Sequence, residues 1–195
     1  INLHPKTPFV RDPMDIQYTF TTAPLLIIIA LLFSLAVYAW NKRQIPGAKA
    51  FILLMINLVL WSLCHLGEWI FTDPQVKLFW ADTQYFFVAT VPILWFIFAL
   101  QITGQSRFVR SRLVLLLLIV PMTTFIGIWS NPLHGLFWKE ISLGIINNAS
   151  KLQTVNGPWF WVHATYSYLV LLSGTLVLLR AYLRSSHLYR QQFLL

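Results

Sequence analysis

The chain has 195 residues, 57% of them hydrophobic and only 10% charged, with a formal net charge of +8. A soluble domain of average composition carries about 25% charged residues, so a conventional water-facing surface is excluded. The single cysteine, Cys64, excludes an intrachain disulfide and a cysteine-based zinc site.

The chain opens on a polar, Pro-rich arm, residues 1–17, with Pro5, Pro8 and Pro13 and no signal-peptide core. Five long apolar runs follow within 18–182. Each approaches the roughly 20 residues needed to cross a hydrocarbon core. A bilayer offers the backbone no hydrogen-bond partners, so these runs are expected as helices. The first is expected over 18–40. Pro46-Gly47 breaks the chain before a second over 49–71. Thr72-Asp73-Pro74 ends that helix and starts a third over 75–103, long enough to extend beyond the bilayer. Gly104-Gln105-Ser106 turns the chain toward a fourth over 111–129, where Pro121 predicts a kink. The segment 131–157 is expected as a non-helical loop. Its apolar residues Leu136, Phe137, Trp138, Ile145 and Ile146 suit packing on the bundle, and loops of that length are usually functional or disordered. The fifth helix is expected over 158–182, followed by a basic segment over 183–195. The expected fold class is all-α integral membrane, a five-helix transmembrane bundle. The alternation and short length of membrane-barrel strands are absent from the apolar runs.

Charge placement sets orientation. Lys42, Arg43 and Lys49 follow the first helix, Arg107, Arg110 and Arg112 the third, and Arg180, Arg184 and Arg190 the fifth, all on one side. The opposite side, with the helix ends near it, holds Lys6, Arg11, Lys77, Lys139 and Lys151 and every acid: Asp12, Asp15, Glu68, Asp73, Asp82 and Glu140. The positive-inside rule puts the first group in the cytoplasm, so the N-terminus is expected outside and the C-terminus inside. Basic residues shared among three loops serve topology and anionic headgroups, and nucleic acid is not an expected partner.

Tryptophans Trp40, Trp69, Trp80, Trp129, Trp138, Trp159 and Trp161 lie near expected helix boundaries, as an aromatic belt requires. Trp61 and Trp95 lie deeper and are read as interface packing. Small and hydroxylated residues such as Thr123, Thr124, Ser173, Gly174 and Thr175, with Asn57, are read as helix contacts.

Ionisable groups at membrane depth usually face the bundle interior or a wet cavity. His65 and Glu68, three residues apart, share one face of the second helix. Asp82, Gln84 and Tyr85 enter at the matching level on the third, His163 and Tyr166 on the fifth, and His134 sits in the outer loop. Two readings stand: a ligand pocket opening outward, with His65, Glu68, Asp82 and His163 in one shared cavity, or a polar clamp that fixes helix register. Haem between His65 and His163 is disfavoured by their off-centre depth. Zinc lacks a tight local motif, and no cofactor is specified. No phosphate loop, nucleophile elbow or metalloprotease motif appears, so the segment is not read as an enzyme.

Several stretches resemble the seven-transmembrane N-terminal sensor region of bacterial histidine kinases, which also precedes diguanylate-cyclase-type outputs. They are Ile45-Pro46-Gly47-Ala48 with Trp61 and Glu68; Gln84-Tyr85-Phe86, Pro92-Ile93-Leu94-Trp95, Phe98-Ala99-Leu100 and Thr103-Gly104; and Asn131-Pro132-Leu133-His134-Gly135-Leu136-Phe137-Trp138. Gly157-Pro158-Trp159-Phe160-Trp161, Tyr166-Ser167-Tyr168-Leu169 and Tyr189-Arg190-Gln191-Gln192 complete the set. The resemblance implies a multi-pass protein of the bacterial inner membrane, with the plan interrupted where a sixth helix would begin. The implied function is a sensory module for an extracytoplasmic or membrane cue, with a small-molecule ligand and a second copy of the chain as partners. The alternative is an accessory or structural subunit of a larger membrane complex. A transporter is disfavoured by the lack of an ionisable path and of paired broken helices.

Overall fold

The computed structural model describes residues 16–18, 21–109, 112–146 and 149–184, without the side chains of Leu113 and Ile146. The expected arm through residue 15, Arg110, and the segment from 185 onward, including the Tyr189–Gln192 stretch, lie outside the described residues.

The chain is mostly helical. Four helices are long and apolar enough to cross a membrane: α1 Thr22–Asn41, α2 Ala48–Ile70, α3 Pro74–Ile102 and α7 Pro158–Arg184. Between α3 and α7 run a 3-10 turn (Ser106–Phe108), α4 (Arg112–Leu117), α5 (Ile119–Trp129), the single turn α6 (Asn131–His134) and strands β1 (Trp138–Ile146) and β2 (Ala149–Asn156).

The mostly helical chain fits an all-α membrane protein, and within the loop expected over 131–157 it forms the antiparallel pair β1–β2. Its register sets Leu143 opposite Leu152 and Ile145 opposite Ser150, with a bulge between Trp138 and Glu140. Leu152 and Ala149 are buried while Ile145 is exposed. The first helix begins at Thr22 and not at residue 18. Ile16 instead bridges to Phe71, and the Gln17 N–H donates to the Ile70 carbonyl at 2.7 Å. The N-terminal segment therefore lies against the end of α2.

Local chemistry explains the boundaries. Gly47, at φ +87°, takes the left-handed conformation at the start of α2, where a Cβ would stand 3.3 Å from the Ile102 Cβ. The Pro46-Gly47 turn thus packs on the far end of α3. Asp73 caps α3 by accepting from the Gln75 and Val76 N–H groups at 2.8 and 2.9 Å, with Pro74 in the first turn. The expected fourth helix, 111–129, is interrupted at Leu118. Pro121 has no N–H to give the Leu117 carbonyl, four residues back.

Helices α2 and α3 form the centre. Asn57 donates to the Phe87 carbonyl at 2.9 Å and accepts from the Thr90 hydroxyl at 2.9 Å. Ala36, Leu54 and Met55 make a core with Phe51, Val91, Leu94 and Trp95, joining α1 to that pair. Gly174 lets α7 approach α3: a Cβ there would meet the Trp95 ring at 2.8 Å and the Phe96 Cα at 3.3 Å. The Trp95 indole N–H donates to Thr175 beside it, at 3.3 Å.

Candidate functional site

The polar side chains of the hairpin end fall into two groups on different sides of α3. The first joins α2 to α3. The Trp69 indole N–H donates to His65 Nε2 at 3.1 Å. A neutral His65 therefore carries its proton on Nδ1, which faces Gln84 Oε1 at 3.2 Å and Glu68 Oε2 at 3.4 Å. Gln84 Nε2 donates onward to Glu68 Oε2 at 2.8 Å. The result is a one-way relay, Trp69 to His65 to Gln84 to Glu68, ending on the carboxylate that accepts from its neighbours.

Beside this relay lies a cavity of about 390 Å³ between α1, α2 and α3. Leu25, Ile28, Trp61 and Val88 give it apolar walls. Ser62, His65, Gln84 and Tyr85 give it a polar side. A second hollow of about 360 Å³ shares Leu25, Ile28 and His65 and reaches Thr21, Pro24 and Trp69.

The second group sits where α3 meets α5, α7 and the start of the hairpin. Asp82 accepts from the Trp138 indole at 3.3 Å. The Tyr85 ring packs edge-on against Phe137 and Trp138, with centroids 4.9 and 5.2 Å away, and 6.4 Å from His163. His163 is buried, with Nδ1 3.4 Å from the Thr124 hydroxyl and Nε2 3.4 Å from Ser167. The Trp159 indole donates to the same Thr124 oxygen at 3.1 Å.

The shared cavity expected for His65, Glu68, Asp82 and His163 is thus divided. His65 and Gln84 line the cavity and Glu68 is tied to it through Gln84. Asp82 and His163 belong to the second group, and Tyr85 touches both. The division follows from helix geometry: Asp82 and Gln84 are two residues apart, and residues so spaced do not share a face.

Tyr166 and His134 have other duties. The Tyr166 hydroxyl donates to the Leu117 carbonyl at 2.6 Å. His134 is exposed and local: its Nδ1 accepts from the Leu136 N–H at 3.0 Å and its Nε2 faces the Ser130 hydroxyl at 3.1 Å. The Asn131–Trp138 stretch is organised by Asn131, which is buried. Its amide oxygen accepts from the Phe137 and Trp138 N–H groups at 2.9 and 3.0 Å, and its amide nitrogen donates to the Trp138 carbonyl at 2.9 Å. Gly157 completes the corner: its N–H donates to the Phe137 carbonyl at 2.7 Å, and a side chain there would collide with the Leu136 carbonyl.

Sequence reasoning missed two residues. Lys77, counted among the outer cations, is 1% exposed, and its ammonium donates to the Glu68 carbonyl at 2.7 Å. A cation on the last turn of α2 complements the carbonyl end of that helix. The signal was its position, one turn into α3 and opposite Glu68. Gln17 was assigned to the arm. Its amide nitrogen donates to the Trp69 carbonyl at 2.8 Å and the Ser150 carbonyl at 2.9 Å, and its oxygen accepts from the Ser150 N–H at 2.9 Å. No feature of its local sequence marks that role.

Apolar spans with polar side chains turned inward at one end define a multi-pass membrane protein. Residues 24–195 match the family described as the N-terminal 7TM region of histidine kinase, and the chain belongs to that family. It is a membrane sensory module of histidine-kinase type. Comparisons with curated proteins and with solved structures give no significant match.

Proposed function

We propose that this module crosses the bacterial inner membrane five times, with α4 and α5 as a jointed fourth span and the hairpin end outside the cytoplasm. The cationic Lys42, Arg43, Lys49, Arg107 and Arg112, all at the opposite end, support that orientation. The cue acts through the relay joining α2 to α3, and a full-length kinase carries the output. The observation that carries this reading is the Trp69–His65–Gln84–Glu68 chain beside a cavity. A ligand shifts an equilibrium only by its differential affinity for two states. A bonded bridge between two helices, bordering a cavity, supplies two such states: bridge closed or bridge opened. A structural subunit would need no such cavity.

Two measurements test it. In a Cys64→Ala background, a membrane-impermeant maleimide added to intact cells is expected to label Ser142→Cys in the hairpin and not Gln44→Cys. The reverse pattern overturns the orientation. In the full-length protein in vesicles, Gln84→Leu is expected to change basal autophosphorylation severalfold. Unchanged basal output together with an unchanged response would defeat the sensing role of the relay.

A further inference from the structure

Among the described residues, two side chains that line the cavity carry a hydrogen-bond donor without an acceptor. Among the described residues, neither the Tyr85 hydroxyl nor the Trp61 indole N–H has a hydrogen-bond partner, yet both side chains line the cavity between α1, α2 and α3. Several other aromatic donors do find an acceptor. The indoles of Trp69, Trp95, Trp138 and Trp159 each reach a side-chain acceptor, and the Tyr166 hydroxyl reaches a carbonyl. Both side chains are half-buried, and a tyrosine or tryptophan turned to an apolar surrounding usually finds a partner for its O–H or N–H.

The remaining wall selects the occupant. Among the described residues, no Lys, Arg, Asp or Glu lines the cavity. His65 is in use at both nitrogens, accepting from Trp69 and facing Gln84. The Lys77 ammonium is turned to the Glu68 carbonyl. An anionic headgroup would find no cation on this wall, and a cationic one no carboxylate. Leu25, Ile28 and Val88 favour an apolar body, and Ile28 is 45% exposed on α1, so the cavity is bordered by the lipid-facing surface. Its volume of about 390 Å³ lies in the range of small-molecule sites, roughly 300–1,000 Å³.

We propose that the cavity binds a neutral, lipid-soluble carbonyl compound, its oxygens accepting from the Tyr85 hydroxyl and the Trp61 indole N–H and its apolar body lying along Leu25 and Ile28. This deepens the sensing reading above by naming the ligand class for the cavity beside the relay. Gln84 links the site to signalling, since it both lines the cavity and holds Glu68.

The test uses the full-length protein in lipid nanodiscs and two photoreactive probes. One is tetradecan-2-one with a mid-chain diazirine, the other the matching diazirine-bearing tetradecane. The ketone is expected to label cavity residues of α1 and α3 well above the alkane. Tyr85→Phe keeps the ring packing on Phe137 and Trp138, and is expected to lower ketone labelling roughly fivefold, the loss of one neutral hydrogen bond. Displacement by decylubiquinone points to a ring-borne carbonyl, and displacement by methyl palmitate to a chain-borne one. Equal labelling by ketone and alkane, indifference to Tyr85→Phe, or displacement by neither competitor overturns the proposal. Labelling that obeys Tyr85 while kinase output ignores the ligand would keep the site and defeat only its role in sensing.

Discussion

The Tyr166 hydroxyl donates to the Leu117 carbonyl at 2.6 Å, the acceptor that Pro121 leaves without its helical N–H. One side chain of α7 therefore mends the backbone at the joint between α4 and α5. In lipid an unbonded carbonyl is costly, so the joint and the tyrosine depend on each other. Tyr166→Phe is expected to destabilise the protein by about 1 kcal/mol, the scale of interhelical hydrogen bonds in membranes. In a Pro121→Ala background, where the backbone N–H is restored, the same substitution is expected to cost little. Unfolding free energies for the four-variant cycle check this; equal costs in both backgrounds would remove the explanation.

Gly67 lies against the Trp80 ring, where an added Cβ would stand 2.6 Å from the nearest ring atom. That ring cannot easily yield, because it is stacked on Phe71 and edge-on to Phe79. Gly67→Ala is expected to push α2 from α3 and cost about 1–3 kcal/mol, as overpacking does. Gly127→Ala, where nothing lies within 4 Å of the added carbon, is the comparison and should be near neutral. Thermal unfolding in detergent reads both.

Gln84 serves His65 and Glu68 together, so its removal strands two groups. Gln84→Leu is expected to cost about 1–2 kcal/mol, whereas Glu68→Gln leaves an amide oxygen able to accept from Gln84 and should cost less. If chemical denaturation ranks the two variants the other way, the relay is not organised as described.

Asn131 makes three hydrogen bonds to the backbone of Phe137 and Trp138. Asn131→Ala is expected to free the corner, at a cost of about 2–3 kcal/mol, and to expose the hairpin to protease. Pro132→Ala, at an exposed position, should change stability by less than about 0.5 kcal/mol. Protease half-lives of the hairpin in right-side-out vesicles compare the two variants.

The membrane character of the chain was legible because apolar runs of span length suit little besides a bilayer. The family was legible from ordered motifs such as Asn131–Trp138, and the structure gives those motifs physical content in the Asn131 corner and the Gly157 contact. The hairpin was not legible. Its strands alternate over a short stretch, and the loop-like Asn147-Asn148 pair between them is a stronger local signal than the period of two around Leu143 and Leu152. The candidate residues were read without rotation. Sequence places His65, Gln84, Asp82 and His163 at one level. Which side of α3 each faces depends on how that helix is turned between α2 and α7, and this is set by distant contacts such as Gly174 on Trp95 and Asn57 on Phe87. Tyr166, read as part of a pocket or of a polar clamp, donates to a carbonyl released by a proline on another helix, a partner its own sequence does not mark.

The Gln17 amide has a mechanical consequence. By bonding to Trp69 and to both backbone groups of Ser150, it ties the N-terminal segment, the end of α2 and strand β2 into one piece. Lys151, over the Trp69 ring at 5.1 Å, adds a second tie at the same place. Three segments that could move independently share their degrees of freedom there. A tug that lifts the ribbon reaches Trp69 directly, and through its indole N–H it reaches His65.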